Sequence, residues 1–159
     1  MKRSIATATG VVVLLAGAVG AQATANVDSG TYKGKVTKKN PNTGKKPVVT
    51  FKVTKSKHLV HFTHEGLYMK CSDGDHFNLQ KLDSGGGAKN RLSITDAGRF
   101  AFTVTYSNGG KWSVKGRITH GHKAKGTLKM TVRFNSDNQA DPNGNIVCRS
   151  GKLKWTAKH

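Results

Sequence analysis

RFAFTVTYSNGGKWSVKGRI, from Arg99 to Ile118, is the stretch whose reading decides the fold. Phe100, Phe102, Val104 and Tyr106 fall on one parity, and Arg99, Ala101, Thr103 and Thr105 on the other. Period-two alternation of this kind predicts a strand with one buried and one wet face. Asn108-Gly109-Gly110 follows, and such residues tolerate the positive φ of a tight turn, so the next run should return as a hairpin. In that run Trp112, Val114 and Ile118 point inward and Lys111, Lys115 and Arg117 outward.

The same signal extends in both directions. After a turn at His120 to Lys123, Leu128, Met130, Val132 and Phe134 alternate with Lys125, Lys129 and Arg133. The chain ends on Leu153, Trp155 and Ala157 inward, with Lys152, Lys154 and Lys158 outward. Upstream, Tyr32 and Val36 alternate with Lys33 and Lys35, and Val49, Phe51 and Val53 with Thr50 and Lys52. Val60 with Phe62 reads as a third strand and Leu67, Met69 and Cys71 as a fourth; Phe77 with Leu79, and Leu92 with Ile94, read as two more. Turn residues separate the runs at Asn40 to Gly44, Asp73-Gly74, Asp83 to Asn90 and Thr95 to Gly98. After the N-terminal segment no stretch has helical periodicity. The expected fold is all-β: an antiparallel β-sandwich or flattened, partly closed β-barrel of about eight to ten strands, largely a meander. A lipocalin- or avidin-like closed barrel is the alternative.

Cys71 shares the parity of Leu67 and Met69, and Cys148 that of Ile146, so both sulfurs should face the core side. An even cysteine count in an exported chain favours a bridge between them. Leu153, Trp155 and Ala157 have the opposite parity to Cys148, so one extra residue must be absorbed between them. Ser150-Gly151 is the expected site of a β-bulge.

The N-terminal segment reads as an address. Lys2 and Arg3 precede an apolar stretch, Val11 to Ala21, and small residues follow at Ala21, Ala23 and Ala25, the pattern of a cleaved secretion signal. Cleavage after Ala25 is the first expectation, after Ala23 the second. The apolar run is short of the roughly 20 residues a spanning helix needs and is broken by Gly17 and Gly20. Residues 1–25 are therefore expected to be the signal and 26–159 a single basic all-β domain, secreted or held in the cell envelope (periplasm or cell wall), with no transmembrane span after signal cleavage.

The whole chain carries 27 Lys and Arg against 8 Asp and Glu, a formal charge of +19; without Lys2 and Arg3 the figure is +17. A positive field of this size attracts polyanions: acidic polysaccharides, cell-wall polymers, lipid head groups or nucleic acid. The candidate anion-binding face is the outward row Lys115, Arg117, Lys129, Arg133, Lys152 and Lys154. Sequence-specific nucleic-acid recognition is disfavoured, because single-strand binders expose aromatics for base stacking. Here Phe100, Phe102, Tyr106, Trp112, Phe134 and Trp155 all fall on the core parity, and only Tyr68, beside Lys70, alternates outward.

Chemistry-bearing constellations are sparse. His58, His61 and His64 are three apart, which in a strand sends His61 away from the other two. His120 and His122 flank Gly121 without further donors, and the two cysteines have no zinc spacing. Asp137, Asp141, Asn143 and Asn145 are oxygen-rich, yet Pro142 and the lack of a closing Glu argue for Asx turns over a calcium loop. The eight carboxylates are scattered, and no Gly-x-Ser-x-Gly elbow exists. No catalytic residue, metal site or cofactor is expected, and the protein is read as a non-enzyme.

Gly30-Thr31-Tyr32-Lys33-Gly34, Gly98-Arg99-Phe100, Val114-Lys115-Gly116, Ala124-Lys125-Gly126-Thr127-Leu128 and Cys148-Arg149-Ser150-Gly151 with Trp155 together resemble uncharacterised small exported bacterial β-domain proteins. The resemblance covers most of the chain after the signal. It implies an exported all-β fold and carries no activity, since its motifs are glycine, core and cysteine positions. The expected function is a secreted, non-catalytic interaction module that adheres electrostatically to an anionic surface or polymer. Alternatives are a β-barrel carrier of a small ligand and a secreted hydrolase.

Overall fold

A computed structural model describes residues 25–84, 92–107, 109–119 and 122–159. Nearly all of the expected signal, the glycine-rich turn before Arg91, Asn108 and the His120-Gly121 turn lie outside the described residues. Within them there is no helix, and the strands form one antiparallel sheet.

The alternating runs become ten strands. These are β1 (Gly30–Val36), β2 (Val48–Val53), β3 (His58–Lys70), β4 (His76–Asp83) and β5 (Leu92–Ser93). They continue as β6 (Arg99–Thr105), β7 (Lys111–Thr119), β8 (Lys123–Phe134), β9 (Ile146–Arg149) and β10 (Leu153–Lys158). Pairing runs β10-β1-β2-β3-β9-β8, and β8 pairs again with β10, so the sheet closes as a six-strand barrel. Strands β4 and β5 extend from the far edge of β3, and β7 then β6 from the far edge of β8. The ring closes fully, as in the closed-barrel alternative, while among the described residues β4, β5 and β6 stand outside it and keep an unpaired edge each.

The Arg99–Ile118 hairpin folds as its pattern demands. Phe102 sits opposite Val114 and Val104 opposite Trp112, while Tyr106 and Gly110 join through a 2.8 Å backbone hydrogen bond. Phe62, fully buried, is the hub of the core: its ring lies 5.5 to 5.7 Å from those of Phe51, Phe102, Trp112 and Trp155. Tyr32 stacks on Phe51 at 4.9 Å and 4°. Gly116 and Gly126 lie in one cross-strand row between Phe100 and Trp155, and both rings lie over the space where a Cβ would stand. Burying large aromatic surfaces in this way dominates the folding energy of a small barrel.

The expected parity switch between Cys148 and Leu153 is present. Arg149 pairs with Thr131 and Leu153 with Leu128, so β8 advances three positions while the opposite edge advances four. Ser150 absorbs the extra residue, donating its amide to the Met130 carbonyl at 3.0 Å and accepting the Met130 amide on its hydroxyl at 2.9 Å. Gly151 follows with φ 67°. The disulfide joins Cys71 to Cys148, both on the core side, across 77 positions of sequence.

Two expectations are corrected. The third and fourth strands are one, β3, whose buried positions change from even (Phe62, His64) to odd (Leu67, Met69) across Gly66. Gly66 has φ 77°, a conformation open to glycine, so the chain re-aims its side chains without leaving the sheet. The histidine parity also fails. Thr50 faces Thr63 but Lys52 faces Val60, which leaves one extra residue in β3 around His61, itself at φ 49°. This bulge puts His58 and His64 on opposite faces: His58 hydrogen-bonds exposed Ser56, and His64 is fully buried. His64 is thus a core residue, while His58 and His61 stay at the surface.

Candidate anion-binding surface

The closure of the barrel assembles a face that no single segment of sequence contains. Because β10 pairs with both β8 and β1, five strands lie side by side in the order β6-β7-β8-β10-β1. Their outward positions fall into cross-strand rows. Arg99 sits opposite Arg117, which sits opposite Lys125. Lys123 sits opposite Lys158, which sits opposite Lys33. Lys115 sits opposite Thr127, which sits opposite Lys154. All of these cations are exposed.

Carboxylates are segregated away from them. Among the described residues, the strands contain only Glu65 in β3 and Asp83 at the end of β4, and the other carboxylates lie in loops. The carboxylate ion pairs among the described residues are made by histidines, His61 with Asp83 at 3.2 Å and His122 with Asp28 at 2.8 Å. Like charges directly opposite on neighbouring strands destabilise a sheet by some tenths of a kcal/mol, roughly 0.2 to 1 per pair. The rows accept that cost with no carboxylate interleaved.

The surface between these cations is grooved. One depression of about 650 Å³ is bordered by Arg99, Lys115, Arg117 and Lys125, with Gly116 and Gly126 in its floor. A second, of about 680 Å³, lies between Lys33, Lys35, Lys123, Lys125 and Lys158, over Gly34 and Ala157. They adjoin at Lys125, and together they make up a trough on the five strands. Its width, at a strand spacing of about 4.8 Å, is some 20 Å.

Of the residues expected to form the anion face, Lys115, Arg117, Lys129 and Lys154 do share the outer surface of β7, β8 and β10. Arg133 stands at the far end of β8 and donates to the Gly144 carbonyl at 3.1 Å, and Lys152 lies in the link between β9 and β10. Missing from that row were Arg99, Lys123, Lys125, Lys158, Lys33 and Lys35. Each alternates outward in sequence; Arg99 and Lys125 are aligned with Arg117 by the β6-β7-β8 meander, whereas Lys123, Lys158, Lys33 and Lys35 are brought in by the β8–β10 and β1–β10 pairings, which no local signal announces.

Other sequence-level sites resolve into local structure. Asp137 and Gln139 donate their amides to the Asn135 side chain, and Asn143 donates to Asp141, so the oxygen-rich loop is a pair of Asx turns. Tyr68 is half-buried and stacks on His76 at 5.7 Å. Burial raises the Tyr106 hydroxyl above its ordinary value, opposed by neighbouring Trp112, and raises that of Tyr32, with Asp28 reinforcing the shift. Burial also pushes His64 down to about 4; its ring lies 4.7 Å from that of Trp112, and neither nitrogen has a hydrogen-bond partner. The imidazole is therefore held neutral at physiological pH.

No family model matches the chain, and no curated protein does either. What defines the molecule is its own architecture: a disulfide-closed antiparallel barrel with a carboxylate-free cationic trough.

Proposed function

We propose that the protein is an exported, non-catalytic binding module whose β6-β7-β8-β10-β1 face adheres to a linear anionic polymer, such as an acidic polysaccharide or cell-wall polymer. The observation that carries this reading is the pair of cation rows, Arg99-Arg117-Lys125 and Lys123-Lys158-Lys33, set directly across neighbouring strands without a carboxylate between them. A polyanion lying along the trough meets several cations at once and releases its own counterions, which is a strong and sequence-independent source of affinity.

A polymer suits the surface better than a bilayer. Val48 is the one exposed large hydrophobic among the described residues, so there is little to insert beneath lipid head groups. Export is supported by the Lys2-Arg3 and Val11 to Ala21 pattern and by a disulfide, a bond that persists in oxidising compartments. Among the described residues no helix is long and apolar enough to cross a membrane.

Retention on immobilised heparin, eluted with a salt gradient, tests the reading. The wild-type protein should elute well after the Arg99→Gln/Arg117→Gln/Lys125→Gln variant. Co-elution of the two would refute adhesion through this face.

A further inference from the structure

Away from the trough, the barrel wall has a gap. Strand β1 stops at Val36 and β2 starts at Val48, while β3 continues to Lys70 and β10 begins only at Leu153. The space left between them is a cavity of about 630 Å³, within the range of small-molecule sites, about 300 to 1,000 Å³. Lys38, Lys39, Lys70 and Arg149 line it, and no carboxylate does. The remaining wall is largely apolar: Tyr68, Pro41, Pro47, Val147, Leu153 and the Cys71 side of the disulfide.

The cavity is built rather than incidental. Asn40, 3% exposed, clamps the 37–47 loop over it. Its Nδ2 donates to the Gly66 carbonyl and to Asn78 Oδ1, both at 3.0 Å, while its Oδ1 accepts the Asn42 amide at 2.9 Å. Its backbone amide donates to the Lys45 carbonyl at 2.8 Å. On the opposite side the Cys71–Cys148 bond and the Val147 amide, donated to Ser72 Oγ at 3.0 Å, hold β9 against the end of β3. Tyr68 is fixed by its stack on His76. A site whose walls are already ordered loses little freedom when it binds.

We infer that this cavity is a second binding site, separate from the trough, for a small amphiphilic anion: an apolar ring or short hydrocarbon body carrying one carboxylate or phosphate. The apolar walls and Tyr68 receive the body, and Lys70 and Arg149, brought opposite one another by their strand pairing, receive the anionic group with Lys38 and Lys39. Arg149 offers a planar fork that matches either a carboxylate or a phosphate.

Calorimetry with four probes on the disulfide-intact protein tests the assignment: 2-naphthoate, 1-naphthyl phosphate, neutral 2-naphthamide and inorganic phosphate. Both naphthyl anions should bind at least about tenfold more tightly than naphthamide or phosphate, the factor expected of one charge-assisted contact. The exposed-site variant Lys70→Gln/Arg149→Gln should reduce the naphthyl anions to the level of naphthamide. Tyr68→Ala should weaken them while leaving inorganic phosphate unchanged, and Arg117→Gln/Lys125→Gln in the trough should alter none of the four. Equal binding of naphthamide would make the cavity an apolar crevice, and equal binding of phosphate an undifferentiated cationic spot. Either result, or anion binding that is indifferent to Lys70→Gln/Arg149→Gln, overturns the assignment. Because the trough is tested by polymer retention, the two sites can fail independently.

Discussion

Lys70 and Arg149 are partners across the seam where the barrel closes, and theirs is the single residue pair that joins β3 to β9. Every other link in the ring is a ladder of at least four pairs. The residue immediately after β3 is Cys71 and the one preceding Arg149 in β9 is Cys148, so the disulfide lies at the ring's weakest link. A covalent bond there substitutes for the ladder that β9, only four residues long, does not build with β3, which it meets at that strand's last residue.

Reduction should consequently cost more than the loss of a surface staple. Closing a loop across 77 positions is worth about 4 to 5 kcal/mol in the chain-entropy description. Urea unfolding of the Cys71→Ser/Cys148→Ser variant should show a stability loss approaching that figure, with naphthyl anion binding weakened as the cavity wall loosens. A loss below about 1 kcal/mol would mean that the single β3–β9 pair suffices to close the barrel.

Gly126→Ala should be among the most damaging small substitutions. A Cβ there would run into the Lys115 carbonyl and the Trp155 ring, neither of which can move without disturbing the sheet or the aromatic core. Gly44→Ala is a matched contrast, since its Cβ meets nothing within 4 Å and the change is limited by its φ of 66°. Thermal denaturation should lower Tm for Gly126→Ala by several degrees more than for Gly44→Ala, as expected of overpacking costs of about 1 to 3 kcal/mol.

His64 predicts an acid sensitivity whose sign follows from its burial. Above the ordinary histidine value of about 6.5 the imidazole is neutral whether folded or unfolded, and contributes no pH dependence. Below it the unfolded chain takes up a proton that the folded protein refuses until its own value of about 4. Stability should fall across that window by an amount on the order of 3 kcal/mol, at 1.36 kcal/mol per unit. Urea unfolding at intervals between pH 7 and pH 4 should show a smaller slope for His64→Leu than for wild type. Parallel profiles would mean that His64 is hydrated or partnered in solution.

The boundary expected between signal and domain, after Ala25 or after Ala23, is open to a direct check. Ala25 is 6% exposed, packs in the core, and donates its amide to the Asp96 carbonyl at 2.8 Å. Cleavage after Ala25 would discard these contacts, whereas cleavage after Ala23 would keep them. N-terminal sequencing of the mature protein isolated from expressing cells or their medium should therefore begin at Thr24. A start at Asn26 would show that the Ala25 contacts are dispensable.

How far these features were legible in the sequence depends on the distance over which each is encoded. The β6–β7 hairpin is written locally in Arg99 to Ile118, and the bulge at Ser150 followed from the parity of Cys148 against Leu153. The continuity of β3 was obscured by Gly66, whose positive φ mimics a strand end in an alternation pattern. His64 was misread because the bulge at His61 reverses parity between His58 and His64, and nothing in the residue types around His61 marks it. The Arg99-Arg117-Lys125 half of the trough follows from sequential hairpins, but the Lys123-Lys158-Lys33 half depends on the pairing of β10 with β8 and of β1 with β10, elements at opposite ends of the chain. The cations of that second half were visible as outward residues, but their alignment was not.

Salt dependence of polyanion binding tests the central claim most directly. Plotted as log K against log salt between about 50 and 200 mM, heparin binding should fall steeply for the wild type, and the slope should lessen by roughly one unit for each trough cation removed. The Arg99→Gln/Arg117→Gln/Lys125→Gln variant should therefore lose about three units of slope. A wild-type affinity indifferent to salt, or a slope unchanged by those three substitutions, would contradict an electrostatic adhesion face on β6-β7-β8-β10-β1.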